Sequence, residues 1–157
     1  MDCIFCFYSV KTYGEMKDDL IALINKFFEE CKEIIINDND DSGIYISVDY
    51  FSFYLEIKER EFYEDMETDW EVVVEDYNLK VNQGIRFEIF SQSFENKIFF
   101  ERFILFLNNF IEGTKKDVAF MINDTDHLIF MKRDGEIIFN KEIDYYKTFS
   151  KEFDLLT

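Results

Sequence analysis

Cys3 and Cys6 stand three positions apart, the spacing of a zinc half-site or of a redox dithiol. Only Cys31 and His127 could complete a set of four zinc ligands. A redox pair belongs where a strand meets a helix, with small or polar residues between the sulfurs. Here Ile4 and Phe5 intervene, inside an apolar run from Cys3 to Val10 that reads as a buried strand. Residues three apart on a strand point to opposite faces, so the expectation is two reduced, separately buried thiols. A second pattern, Asp38-x-Asp40-x-Ser42-Gly43, matches the first half of a calcium loop, and Asp49 falls at its twelfth position. Glu is the usual ligand there and a helix should follow, whereas a strand pattern follows. The expectation is a solvated turn with no metal. The lone His127, beside Asp126, has no evident nucleophile or orienting acid and reads as a turn histidine. Thirty-four acids make any acid/base pair nonspecific. No glycine-rich phosphate loop, nucleophile elbow or helical H-E-x-x-H is present. Neither an enzyme nor a cofactor is expected.

The acids themselves carry the strongest signal. Of the 21 residues from Glu56 to Asp76, ten are carboxylates, opposed only by Lys58 and Arg60. A solvated surface that keeps a Phe-rich chain soluble explains a net negative charge, but explains its concentration less well. Phe62, Tyr63, Met66, Trp70 and Tyr77 are interleaved with the acids. Aromatic anchors inside a charged rim are the composition of a protein–protein hot spot, and clustered carboxylates steer a basic partner. The candidate partner-binding residues are Glu64, Asp65, Glu67, Asp69, Trp70, Glu71, Glu75 and Asp76.

These residues need elements to position them. From Met16 the apolar positions Leu20, Ile24, Phe27, Phe28, Cys31 and Ile35 recur at helical spacing, predicting a helix over 16–36 that stops by about Asn37. Asp18 and Asp19 suit the positive end of its dipole. Asn37 to Gly43 reads as a loop. Ile44, Ile46, Val48 and Tyr50 alternate, and the phase then shifts to Phe51, Phe53, Leu55 and Ile57, which a bulge near Tyr50–Ser52 would absorb. After the acidic stretch, 72–81 and 85–89 read as a hairpin around Asn82-Gln83-Gly84. A second helix is predicted over 93–112, with Ser93 as N-cap and Gly113 as C′ residue. Val118–Ile122, His127–Lys132 and Glu136–Lys141 complete a meander, its last turn at Asp134-Gly135. The tail from Ile143 reads as a short closing helix. The predicted class is α+β, an antiparallel sheet with two main helices packed on one face. The order allows a helix-plus-three-strand duplication.

At 157 residues and 48% hydrophobic, the chain suits a single domain, 1–157, with a proper core. A formal charge of −17 disfavours nucleic acid and anionic lipid as partners. No apolar run approaches the roughly 18 residues of a membrane span, and Met1-Asp2-Cys3 lacks the basic start of a signal peptide. A cytoplasmic protein is the expectation, with no membrane partner.

The stretch from Ser93 to Lys141 runs helix, Gly113, Asp117-Val118-Ala119-Phe120-Met121-Ile122, His127-Leu128-Ile129-Phe130-Met131, then Asp134-Gly135-Glu136-Ile137-Ile138-Phe139. In a small, acidic, proline-free, aromatic-rich α+β chain, this resembles the strand-rich ends of immunity proteins of bacterial polymorphic toxin systems. The resemblance implies a cytoplasmic inhibitor that caps a cognate toxin, often a basic nuclease. It covers about a third of the chain and assigns no site residue. The second class open to this sequence is a structural or adaptor protein that homo-oligomerises through exposed aromatics.

Overall fold

The computed structural model describes residues 2–29, 35–39, 43–48, 51–55, 58–59, 77–81, 83–90, 93, 95–113, 116–122 and 127–156. Their elements run β1 (Asp2–Phe7), α1 (Tyr13–Phe27), β2 (Ile35–Asn39), β3 (Gly43–Val48), β4 (Phe51–Leu55), β5 (Lys58–Glu59), β6 (Gln83–Glu88), α2 (Lys97–Gly113), β7 (Val118–Ile122), β8 (His127–Arg133), β9 (Glu136–Phe139), α3 (Asp144–Thr148) and α4 (Ser150–Phe153).

The apolar run at the N-terminus forms an inner strand of the larger sheet. Strand β1 pairs antiparallel with β6 on one side and β7 on the other, within a six-stranded sheet of order β5-β6-β1-β7-β8-β9. Because β6 and β7 both oppose β1, they run parallel to each other, and α2 crosses over between them. Strands β2, β3 and β4 form a separate ladder, and β4 also runs within 8 Å of β6, Cα to Cα. The architecture is α+β. A helix followed by three strands occurs twice, as α1 with β2–β4 and as α2 with β7–β9. The two meanders dock differently: the second joins β1 through its first strand, the first approaches β6 through its last.

Both helices lie on one face of the larger sheet. Met16, Leu20, Ile24 and Phe28 of the α1 region share one buried cluster with Phe99, Phe103, Phe106 and Phe110 of α2 and with Cys3, Phe5 and Phe7 of β1. Phenylalanines fill this space edge to face and offset: Phe87 meets Phe103 at 5.7 Å, and Phe110 meets Phe7 at 5.1 Å and Phe5 at 5.3 Å. The tail closes the same face. The Phe149 ring lies 4.2 Å from that of Phe100, tilted by 34°, and Phe153 reaches Phe100 and Phe139.

The opposite face holds a second cluster, Ile4, Cys6, Ala119, Met121 and Leu128, covered by Leu79 and Val81. Burial on both faces is why β1 is apolar at almost every position. Cys3 and Cys6 are both buried and belong to different clusters, as their spacing predicts.

Several predicted boundaries move. Helix α1 begins at Tyr13, behind a capping box in which the Thr12 side chain accepts from Glu15 N and Glu15 accepts from Thr12 N, and it ends at Phe27. Ile35–Asn39 is a strand, not the end of a helix and the start of a loop, because its backbone pairs with β3 from Ile35 opposite Ser47 to Asn39 opposite Gly43. The phase shift after Val48 is a reversal of the chain, not a bulge: Val48 pairs with Phe51, Ile46 with Phe53 and Ile44 with Leu55. Both phases therefore fall on one set of register positions.

Of the predicted 72–81/85–89 hairpin, 72–76 lie outside the described residues, and 77–81 form no ladder with 85–89. Gln83 and Gly84 already belong to β6, which pairs with β1 and β5. Residues 77–81 instead strap the reverse face of the sheet. Leu79 and Val81 point inward and Lys80 outward, and Lys80 N donates to Asp117 Oδ2 at 2.8 Å. Asn78 takes a left-handed φ of 52° there, a conformation Asn tolerates better than most residues.

At α2 the cap is Asn96, whose Oδ1 accepts from Ile98 N at 3.1 Å and Phe99 N at 3.4 Å. Ser93 is buried in the preceding turn, and Gly113 is the last helical residue, not a left-handed C′. The Asp134-Gly135 hairpin is as predicted, with positive φ of 53° and 82° at its two residues. The tail forms two short helices, α3 and α4, in place of one.

Candidate functional site

Where β1 leaves the sheet, the chain turns through Tyr8–Thr12 into α1, and the C-terminal end of α2 comes to rest beside it. Between them lies a cleft of about 630 Å³, within the range of small-molecule sites. Its apolar floor is Met16, Leu23 and Phe110, with Ala22 on the α1 side. Local contacts shape its mouth. Lys11 N donates to Ser9 Oγ at 3.0 Å, and Ser9 Oγ in turn approaches Met16 Sδ at 3.6 Å. This tight turn leaves Val10 projecting into solvent, 85% exposed.

The charges around the cleft divide unequally. Lys11 forms an ion pair with Asp19. Lys26 Nζ donates to Asn109 Oδ1 at 3.3 Å across the α1/α2 groove. Lys116 places its ammonium 3.7 Å from the centre of the Tyr8 ring, a cation–π contact at the rim. The neighbouring acids are otherwise occupied: Glu15 by the helix cap, Glu112 by Asn108 Nδ2 at 3.3 Å, and Asp117 by the backbone of Lys80.

This cleft is absent from the sequence expectations. Thr12-Tyr13-Gly14-Glu15 is a legible capping box that fixes where α1 starts, and therefore where the cleft opens. Lys11 and Lys116, basic residues in an acidic chain, were the remaining clue.

The predicted partner-binding residues Glu64, Asp65, Glu67, Asp69, Trp70, Glu71, Glu75 and Asp76 all lie outside the described residues. So do Cys31 and, in the calcium-like pattern, Asp40, Ser42 and Asp49. Two members of that pattern are described. Asp38 stands in the β2–β3 ladder opposite Ile44, and Gly43 opposite Asn39, so the backbone there is a hairpin and not a helix-flanked loop. His127 opens β8 opposite Ile122. Among the described residues, no group of three or more His, Cys, Asp or Glu could hold a metal ion, and no helix is long and apolar enough to cross a membrane. No protein-family model matches the chain, no curated protein matches it in sequence, and no solved structure matches it in fold.

Proposed function

We propose that the chain is a non-enzymatic acidic binding protein, an immunity protein of the bacterial cytoplasm that neutralises a basic toxin by electrostatic capture and occlusion of its surface. The observation that carries this reading is the crowding of ten carboxylates into residues 56–76, in a chain whose acids outnumber its bases 34 to 17. Such a field raises the encounter rate with a cationic surface and disfavours nucleic acid and anionic membranes. Trp70 and its aromatic neighbours supply the contact area that charge alone does not.

The sheet holds the segment near its start and just beyond its end. On one side Lys58 and Glu59 pair with Gly84 and Gln83, and on the other Leu79 and Val81 are buried against the sheet. Both ends are therefore tied to the packed body of the protein.

The test is the combined reversal Glu67→Lys, Asp69→Lys and Glu71→Lys, with association to the captured basic partner followed by stopped flow at several salt concentrations. Loss of steering slows association about tenfold or more and flattens its salt dependence. An unchanged on-rate reduces the segment to a solubilising surface.

A second reading, a structural or adaptor subunit that homo-oligomerises through exposed aromatics, draws on Phe90 and Tyr145, which are 36% and 40% exposed. Light scattering separates the two. A stable homodimer favours the adaptor, and a monomer that joins a basic partner favours the inhibitor.

A further inference from the structure

We propose that the cleft between α1 and α2 binds a small amphipathic carboxylate, its apolar body on Met16, Leu23 and Phe110 and its headgroup on the Lys116 ammonium. This site is independent of the acidic segment. Three observations lead to it.

The cleft has room for such a molecule, about 630 Å³, and a floor of thioether, aliphatic and aromatic side chains. An alkyl or aryl body leaving water for that floor gains roughly 25 cal/mol per Å² of apolar surface covered.

Lys116 is a cation with donors to spare. Its ammonium is held over the Tyr8 ring, a contact that positions the charge without using an N–H on an acceptor, and no hydrogen-bond acceptor meets it among the described residues. The carboxylates close enough in the fold to compete have other partners. Asp19 has Lys11, Asp117 has Lys80 N, and Glu112 has Asn108.

Among the residues that line the cleft, bases outnumber acids. In a chain of net −17, the lining holds two lysines, Lys11 and Lys116, against one carboxylate, Asp19. A cationic headgroup is repelled by the Lys116 ammonium, and a neutral one takes at most an uncharged hydrogen bond from it. An anion with an apolar body gains from both the floor and the rim.

The probe is 8-anilinonaphthalene-1-sulfonate, an apolar aromatic anion, followed by fluorescence titration of the full chain, with decanoate and decyltrimethylammonium as competitors. The expected result is saturable binding of one probe per chain, displaced by decanoate at much lower concentration than by the cationic amphiphile. Lys116→Glu weakens the probe about tenfold or more, the scale of a lost charge-assisted hydrogen bond. Ala22→Trp, at an exposed position on the cleft wall, blocks it sterically. Both positions are exposed, so the variants keep the far-UV circular dichroism and thermal midpoint of the parent. The proposal is overturned if binding is not saturable, if neither variant changes it, or if the cationic amphiphile displaces the probe as well as decanoate does.

Discussion

Two adjacent register rows of the same sheet are built from different materials. One row reads Ile85, Phe5, Phe120, Phe130, Phe139 across β6, β1, β7, β8 and β9. Its rings follow one another at 6.4, 5.3 and 6.1 Å from Phe5 to Phe139. The next row reads Gly84, Cys6, Ala119, Met131, Ile138 and points the other way. The difference follows from what lies on each side. A helix packs with its axis about 10 Å from the sheet, and that gap takes large flat side chains to fill. The reverse face carries an extended strap in place of helices, packed on Cys6 and Ala119 in this row and on the larger Ile4, Met121 and Leu128 beside it. Cys6 and Ala119 are the small members of the cluster that Leu79 and Val81 share. The row ends in Ile138, 46% exposed, beyond that cover on the edge strand β9.

The comparison is tested hardest at Phe120. Its ring is buried and meets Phe5, Phe103 and Phe130. Phe120→Ala removes the middle of the aromatic row and costs about 3–5 kcal/mol. Urea denaturation checks it as a large fall in midpoint with the slope preserved. A loss below about 1 kcal/mol would mean that the rings form a loose layer and not an interlocked one.

On the reverse face the sensitive change is in the opposite direction. Ala119→Leu adds bulk beneath the strap and costs about 1–3 kcal/mol through overpacking. Leu79→Ala makes space in the same place, so the pair together costs less than the sum, with a coupling on the order of 1 kcal/mol. Strict additivity would show that the strap does not rest on Ala119. Limited proteolysis offers a second readout, since lifting the strap speeds cleavage around Tyr77–Lys80.

The two faces were unequally legible in the sequence. The helix face announces itself, because Phe99, Phe103, Phe106 and Phe110 recur at helical spacing and Phe5 and Phe7 alternate. The strap shows the right period-2 signal at Tyr77, Leu79 and Val81, but alternation records burial on one side and not the presence of a ladder partner. Hence a hairpin was expected where side-chain packing does the holding. Ile35 and Ile36 fit a helix period as well as a strand, and only pairing with β3 decides. The cleft was illegible for a different reason. Its walls come from β1's exit, α1, the end of α2 and Lys116, segments about a hundred residues apart in the chain, and no local pattern encodes that meeting.

The smallest effect concerns where α2 starts, a point at which composition and geometry disagree. Ser93, a favoured capping type, precedes the helical run, but it is buried in a turn whose carbonyls already serve Ser93 N and Asn96 N. Ile98 N donates to Asn96 Oδ1 instead, and Phe99 N is shared between Asn96 O and Asn96 Oδ1. Asn96→Ala therefore costs about 1 kcal/mol, a fall of several degrees in thermal midpoint. Asn96→Asp restores the acceptor and adds a negative charge at the positive end of the helix dipole, so it returns to the parent value or slightly above it. If Asp is as damaging as Ala, the Asn96 side chain is held for its donor and not for its oxygen.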